Sequence, residues 1–170
     1  MAEERRTVET CRDGQGAHEA IGRGQAWEIR SEVVAKSQEQ SRAVHAVLES
    51  KDLVTTLHGP AGSGKTTLSR EIVDAVETLS GNSVMMLAPS SSAVGVLKSE
   101  GFSKAETFQR FQTDELLQSV ASGEMLWVDE AGFLSSRQMH WLVQFAERER
   151  CRLVLSGILC NITVLNGAMP

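Results

Sequence analysis

A glycine-rich segment between a short apolar run and an amphipathic pattern most constrains what this chain can fold into. Residues 59–66 read GPAGSGKT and match G-x-x-x-x-G-K-[ST] at every fixed position. The run LVTTLHG (53–59) before it is rich in β-branched residues and ends in glycine, which predicts a buried strand that leads into a loop. After it, residues 65–79 place four apolar residues on one helical face, namely Leu68, Ile72, Val76 and Leu79. Strand, glycine-rich loop and helix in this order predict a cradle for phosphate groups.

Each residue type in this cradle has a physical role. The glycines let the backbone turn tightly, so that several N–H groups can reach the phosphate oxygens. A helix that begins near Gly64 points its positive end at the same anion. Lys65 can contact the β- and γ-phosphates, and the Thr66 hydroxyl can ligate Mg²⁺. We therefore predict that ATP and Mg²⁺ bind here, with the nucleotide contacted by Gly59, Pro60, Ala61, Gly62, Ser63, Gly64, Lys65, Thr66 and Thr67.

A pair of acids follows a second apolar run. Asp129 and Glu130 come directly after MLWV (125–128). At the end of a buried strand, Asp129 can hold Mg²⁺, and Glu130 can orient or deprotonate an attacking water. Alone, such a pair would be a solvated turn, but a phosphate cradle in the same chain favours function. The sequence thus predicts Lys65 and Glu130 as catalytic residues and Thr66 and Asp129 as metal ligands.

Strands and helices alternate along the chain. The apolar pattern predicts three further strands, over residues 83–89, 124–132 and 151–157. It also predicts helices over 40–48 and over 90–98, the second with Ser90 as its N-cap. A further helix is predicted after a capping box formed by Ser135 and Gln138. This alternation predicts an α/β fold, a parallel sheet with helices on both faces. We expect residues 1–36 to be a polar, loosely structured lead-in, 37–157 to form the ATPase domain, and 158–170 to be an atypical C-terminal tail.

Composition limits the possible partners and compartments. A chain of 170 residues has room for about one domain, and its net charge of -5 gives no bulk electrostatic case for nucleic-acid binding. It has no run of about 18 apolar residues and no signal-peptide core, so we expect a cytoplasmic protein without a membrane span. Cys11, Cys151 and Cys160 form no CxxC pair, which favours reduced thiols.

Five segments in a fixed order resemble a known family. QSRAV, GPAGSGKTT, LAPSSSAVGVL, ETFQRF and WVDEAGFLS resemble the first motor domain of superfamily 1 DNA helicases, and most closely the RecD-like helicase part of MobF-type conjugative relaxases. The resemblance covers about residues 20–157 and implies a RecA-like P-loop NTPase fold. It also implies that Gln40 reads the adenine edge, and that Ser90 and Thr107 lie in motifs that contact single-stranded DNA.

The chain also departs from that family. Ile158 follows LSG where the family has an aspartate, and the 170 residues contain neither a second motor domain, which supplies the arginine finger, nor the tyrosines of a relaxase nuclease. We therefore expect a truncated helicase motor domain with weak ATP hydrolysis and no unwinding alone, for which a separate chain could carry the second motor domain. Two alternatives are a stand-alone small-molecule kinase, which the Glu130 base disfavours, and a nucleotide-binding interaction module.

Overall fold

One parallel sheet organises the protein. The structure, a computed structural model, describes residues 2–58 and 64–158. Five strands of this part pair in the order β1-β5-β4-β2-β3, and every pairing is parallel. They are β1 (Val54–Leu57), β2 (Val84–Ala88), β3 (Glu106–Thr107), β4 (Met125–Val128) and β5 (Arg152–Ser156). The predicted α/β fold with a parallel sheet is confirmed.

Helices cover both faces of this sheet. They are α1 (Ala2–Asp13), α2 (Glu32–Lys36), α3 (Gln38–Glu49), α4 (Lys65–Ser80), α5 (Ser91–Ser99), α6 (Phe108–Thr113), α7 (Glu115–Ala121) and α8 (Ser136–Arg148), with a 3₁₀ turn at Ala131–Phe133. Among the described residues, no helix is both long and apolar enough to cross a membrane.

The middle strand β4 shows how the core is divided. Met125 and Trp127 belong to the hydrophobic cluster that α2–α5 cover, whereas Leu126 and Val128 belong to the cluster that α6–α8 cover. All four side chains are buried, because successive residues of a strand point to opposite faces and both faces carry helices. Ile158, the first residue of the predicted tail, packs against the second cluster, and the rest of that tail lies outside the described residues.

The predicted elements are present with ends shifted by at most four residues, the largest shift being at the end of β4. The capping box at the start of α8 is confirmed, since Ser135 and Gln138 exchange hydrogen bonds of 3.2 and 2.9 Å with each other's backbone. Beyond the lead-in of residues 1–36, the prediction missed β3, α6 and α7. These elements are only two to seven residues long, so their apolar periodicity is too short to recognise in the sequence.

The expectation of a loosely structured lead-in over residues 1–36 is wrong for the described residues. The N-terminal half forms α1, which packs along α8, and Thr7 Oγ1 lies 3.1 Å from His140 Nδ1. In the second half, Ile21, Trp27 and Val34 are buried in the first core cluster. These isolated apolar residues follow no helical or strand period, so sequence patterning gave no sign that the fold would bury them.

A buried carboxylate on α4 fastens this segment. Glu71 is 4 % exposed and accepts hydrogen bonds from Trp27 Nε1 at 2.7 Å, from the Arg30 N–H at 2.9 Å and from the Ser31 N–H at 2.8 Å. The Arg30 guanidinium also lies 4.4 Å from the centre of the Trp27 ring. Because a buried carboxylate is tolerated only when its oxygens are satisfied, these contacts make the N-terminal segment part of the domain.

The described cysteines are free thiols. Cys11 is half-buried and Cys151 is fully buried, and burial raises the pKa of each thiol to about 11. A thiol with so high a pKa is protonated at neutral pH and is a poor nucleophile. Both residues therefore act as packing groups, while Cys160 lies outside the described residues.

Candidate nucleotide-binding site

The sheet order brings the two predicted halves of the site to one edge. β1 leads into the cradle, and β4 leads into the acid pair at residues 129–130. β5 lies between these two strands and pairs in parallel with both. Since the carboxyl ends of parallel strands lie at the same edge, the start of α4 and the acids are placed at the crevice where open α/β sheets bind ligands.

The start of α4 differs from the starts of the six other helices in the series α2 to α8. The other six begin with a side-chain cap, supplied in order by Ser31, Ser37, Ser90, Thr107, Asp114 and Ser135. At α4 the cap position is Gly64, which has a left-handed backbone (φ 76°) and no side chain with which to cap the helix. The first-turn N–H groups of a 16-residue helix therefore remain suited to an anion.

The described part of the cradle lies where the sequence placed it. Lys65, Thr66 and Thr67 form the first turn of α4. Gln40 on α3 is brought to the same point, because a Cβ built on Gly64 would lie 3.0 Å from the Gln40 Nε2. Of the predicted contacts, Gly59, Pro60, Ala61, Gly62 and Ser63 lie outside the described residues and stay predictions.

Contacts from the neighbouring strands hold Asp129 in place. Its N–H donates to the Leu87 carbonyl at 2.8 Å and extends the pairing of β4 with β2. Its Oδ1 accepts a hydrogen bond from Ser156 Oγ at 2.9 Å, and Ser156 in turn accepts one from Trp127 Nε1 at 3.1 Å. The carboxylate is thus oriented by β5 through its Oδ1, and among the described residues no hydrogen bond is made by its other oxygen.

Glu130 has an unusual backbone conformation. Its φ of 53° and ψ of 40° lie in the left-handed region, which non-glycine residues seldom adopt. Gly157, at the end of β5, lies directly against it, because a Cβ on Gly157 would come within 2.9 Å of the Glu130 Cα. Strained backbone of this kind persists when the surrounding structure enforces it, and it is frequent at functional sites.

The residues at this edge fit a magnesium ion bound together with a phosphate. Mg²⁺ prefers hard oxygen ligands and is held by one or two carboxylates plus substrate phosphates, not by a cage of protein groups. Thr66 supplies a hydroxyl and Asp129 a carboxylate of that kind. The described ranges contain no cluster of three or more His, Cys, Asp or Glu side chains that could hold a metal ion.

The two predicted DNA-contacting residues also meet at this edge. Thr107 pairs with Ala88 in the register of β2 and β3, and Ser90 follows two residues after Ala88. Each hydroxyl caps a helix, with Ser90 Oγ accepting from the Ala93 N–H and Thr107 Oγ1 from the Arg110 N–H, both at 3.2 Å. The N-cap role anticipated for Ser90 is therefore confirmed, and DNA contact by either residue stays a prediction.

Sequence reasoning missed three residues that shape the acid half of the site. Trp127, Ser156 and Gly157 were assigned only to strands, yet they hold Asp129 and lie against Glu130. The sequence feature that could have identified Ser156 and Gly157 is the pair of small residues at the end of the apolar run RLVL, 27 residues after the acids. It becomes informative only once β5 is known to lie beside β4.

Comparison with known proteins agrees with the geometry. The AAA domain family matches residues 35–157. The multifunctional conjugation protein TraI of Escherichia coli K12 is 34% identical over 140 residues, which are 77% of this chain and 8% of TraI. A second Escherichia coli TraI is 34% identical over 137 residues, 75% of this chain and again 8% of the relative.

The chain therefore spans less than a tenth of the length of these relatives. The family match covers the sheet, the start of α4 and both acids, and it ends at the glycine that lies against Glu130. This chain belongs to the AAA domain family, and it is a helicase-like P-loop domain similar to a segment of a conjugation protein.

Proposed function

We propose that this chain binds ATP together with Mg²⁺ and, by itself, hydrolyses the nucleotide slowly. The observation that supports this most directly is the meeting, at one sheet edge, of a helix whose N-terminus has a glycine cap and an acid pair held by the neighbouring strand. The first feature suits the phosphates, and the second suits the metal and the attacking water.

The roles follow from the chemistry of each group. The N–H groups of the first turn of α4 and the Lys65 ammonium bind the phosphate oxygens, and Gln40 lies where it can contact the adenine. Thr66 and Asp129 would hold Mg²⁺, which lowers the charge repulsion at the phosphates when bound. Glu130 accepts a proton from the attacking water or orients it.

Single-stranded DNA and a second motor domain are proposed as partners. Ser90 and Thr107 stand at the same edge as the nucleotide site, which supports weak contact with a DNA backbone and an affinity that falls as salt rises. The described residues form one sheet, and the resemblance places the arginine finger, a group worth roughly 10³–10⁵ in kcat where it has been measured in GTPases, on the second motor domain. We propose that unwinding needs a second motor domain in addition to this one.

A titration with a fluorescent ATP analogue tests the nucleotide site. Lys65→Ala removes a charge from the phosphates and is expected to weaken binding by about 1.5–3 kcal/mol, or about 10- to 150-fold. Lys104→Ala removes an exposed lysine from the loop before β3 and is the matched control, with affinity expected to stay at the wild-type value. Equal affinities of the wild type and Lys65→Ala would refute the assignment.

A strand-displacement assay tests the need for a second motor domain. The purified chain is expected to release no strand from a tailed duplex, and single-stranded DNA is expected to raise ATP turnover little. Unwinding by this chain alone, or strong stimulation by DNA, would contradict the proposal.

A further inference from the structure

One acidic side chain outside the predicted site contacts a predicted magnesium ligand. Thr66 Oγ1 donates a hydrogen bond of 3.1 Å to Glu100 Oε1. Glu100 is the C-cap residue of α5, 34 residues further along the chain, and both side chains are half-buried. We propose that Glu100 is a positioning residue for Mg²⁺, which acts by fixing the orientation of the Thr66 hydroxyl. This inference rests on the proposed nucleotide site.

The hydrogen-bonding capacity of a hydroxyl explains how this works. Threonine has one O–H donor and two acceptor lone pairs. A metal ligand must present a lone pair, so the proton has to point away from the ion. Donation to the Glu100 carboxylate fixes the proton on one side and leaves the lone pairs for the metal. A hydrogen bond to a carboxylate is also about twice as strong as one between neutral groups, so the orientation of the Thr66 hydroxyl is well fixed.

The backbone around Glu100 is fixed independently of this contact. Its N–H donates to the Val96 carbonyl at 3.0 Å, which closes the end of α5. Its carbonyl accepts a hydrogen bond from Arg70 Nη2. Arg70 lies one helical turn after Thr66 on α4, so both residues present the same face of that helix to Glu100. The backbone of Glu100 is therefore held beside the first two turns of α4 by contacts that do not involve Thr66.

Asp129 does not already fill this role in the structure. Its Oδ1 is engaged with Ser156, on the acid side of the site, and the Thr66 proton goes to Glu100 instead. The two carboxylates thus have different tasks, with Asp129 as a ligand and Glu100 as an orienting acceptor. A neutral amide at position 100 keeps an oxygen acceptor, whereas alanine removes it.

The test is a Mg²⁺ titration of nucleotide affinity, read as fluorescence of an ATP analogue and needing no turnover. In Glu100→Ala, the Mg²⁺ concentration that gives half of the affinity gain is expected to rise about 3- to 10-fold, the size of the typical net contribution of one hydrogen bond. Affinity in EDTA is expected to stay within about 2-fold of the wild type. Glu100→Gln is expected to lie between the two proteins. Glu77→Ala, which removes an exposed carboxylate from the far end of α4, is the matched control and is expected to match the wild type.

Unfolding by urea separates positioning from a purely structural role. If Glu100 only ties α5 to α4, Glu100→Ala lowers the free energy of unfolding while the Mg²⁺ midpoint stays at the wild-type value, and that result overturns the proposal. If Glu100→Ala does not fold, an unchanged midpoint in Glu100→Gln overturns it equally. Failure of the wild-type chain to bind the analogue at all would instead refute the proposed nucleotide site.

Discussion

The two halves of the candidate site are built in different ways. The acid arm, residues 129–130, is held by the protein itself, with Asp129 fixed by Ser156 and Glu130 lying against Gly157. The cradle arm, residues 64–66, starts a helix with a left-handed glycine instead of a side-chain cap. Side-chain and backbone contacts thus fix the acid arm, whereas no side chain of the cap residue binds the first-turn N–H groups of the cradle arm.

This difference follows from what each arm has to do. Groups that orient a water or a metal work best when they are preorganised, because no reorganisation is then needed during the reaction. Donors that bind an anion must be left unsatisfied by the protein, and glycine achieves this at the start of α4. The comparison predicts that changes to the acid arm affect turnover and stability, whereas changes to the cradle arm affect nucleotide affinity.

The largest expected effect is on turnover. Glu130→Gln removes the base without changing its size and should lower the rate of phosphate release from ATP by about 10²–10⁴-fold, which equals roughly 3–5 kcal/mol. Affinity for the ATP analogue should not change. Glu115→Gln, on the exposed face of α7, is the control and should keep the wild-type rate. A wild-type rate in Glu130→Gln would remove Glu130 from the mechanism.

The second effect is on the stability of the acid arm. Gly157→Ala places a methyl group 2.9 Å from the Glu130 Cα at a φ of 74°, so overpacking and a disfavoured backbone conformation add together. The free energy of unfolding in urea should fall by about 2–4 kcal/mol. Gly95→Ala is the control, because no atom lies within 4 Å of its added Cβ and position 95 is inside α5. That variant should be slightly more stable than the wild type. Equal stability of the two variants would show that β5 does not support Glu130.

A smaller effect is expected at the cradle arm. In Gly64→Ala, the new alanine has to adopt a φ of 76°, and its methyl group lies 3.0 Å from Gln40 Nε2. The backbone is expected to relieve this strain by moving the first turn of α4. Nucleotide affinity should fall by about 1–2 kcal/mol, the cost of a left-handed alanine. Gly81→Ala makes the same change at the other end of α4, with a φ of 72° and no atom within 4 Å. It should lose stability but keep its affinity, and a matching affinity loss in both variants would contradict the local effect.

The smallest effect concerns a helix start that a side chain already caps. Ser135→Ala removes the capping box of α8 and should lower the free energy of unfolding by about 1 kcal/mol. Because this helix start has no proposed ligand, affinity for the ATP analogue should be the same as in the wild type. A clear loss of affinity would show that the distinction between capped and uncapped helix starts is wrong.

The local sequence was sufficient for the elements that form the frame. The cradle pattern with its flanking strand and helix, the apolar runs of the longer strands and the capping box of Ser135 and Gln138 each use signals that lie within one continuous segment of the sequence. Such signals reflect backbone preferences and the burial of one helical face, which neighbouring residues set. The alternation of strands and helices was enough to predict the parallel sheet.

The tertiary structure decided how distant residues support the site. Ser156 reaches Asp129 across 27 positions of sequence, Thr66 reaches Glu100 across 34, and Glu71 holds Trp27 across 44. These contacts depend on the order of the strands and on which helices pack beside one another. The apolar periodicity of a single segment carries no information about either. For the same reason the buried residues of the N-terminal segment could not be recognised, because their burial depends on partners on α3 and α4 and on no pattern of their own.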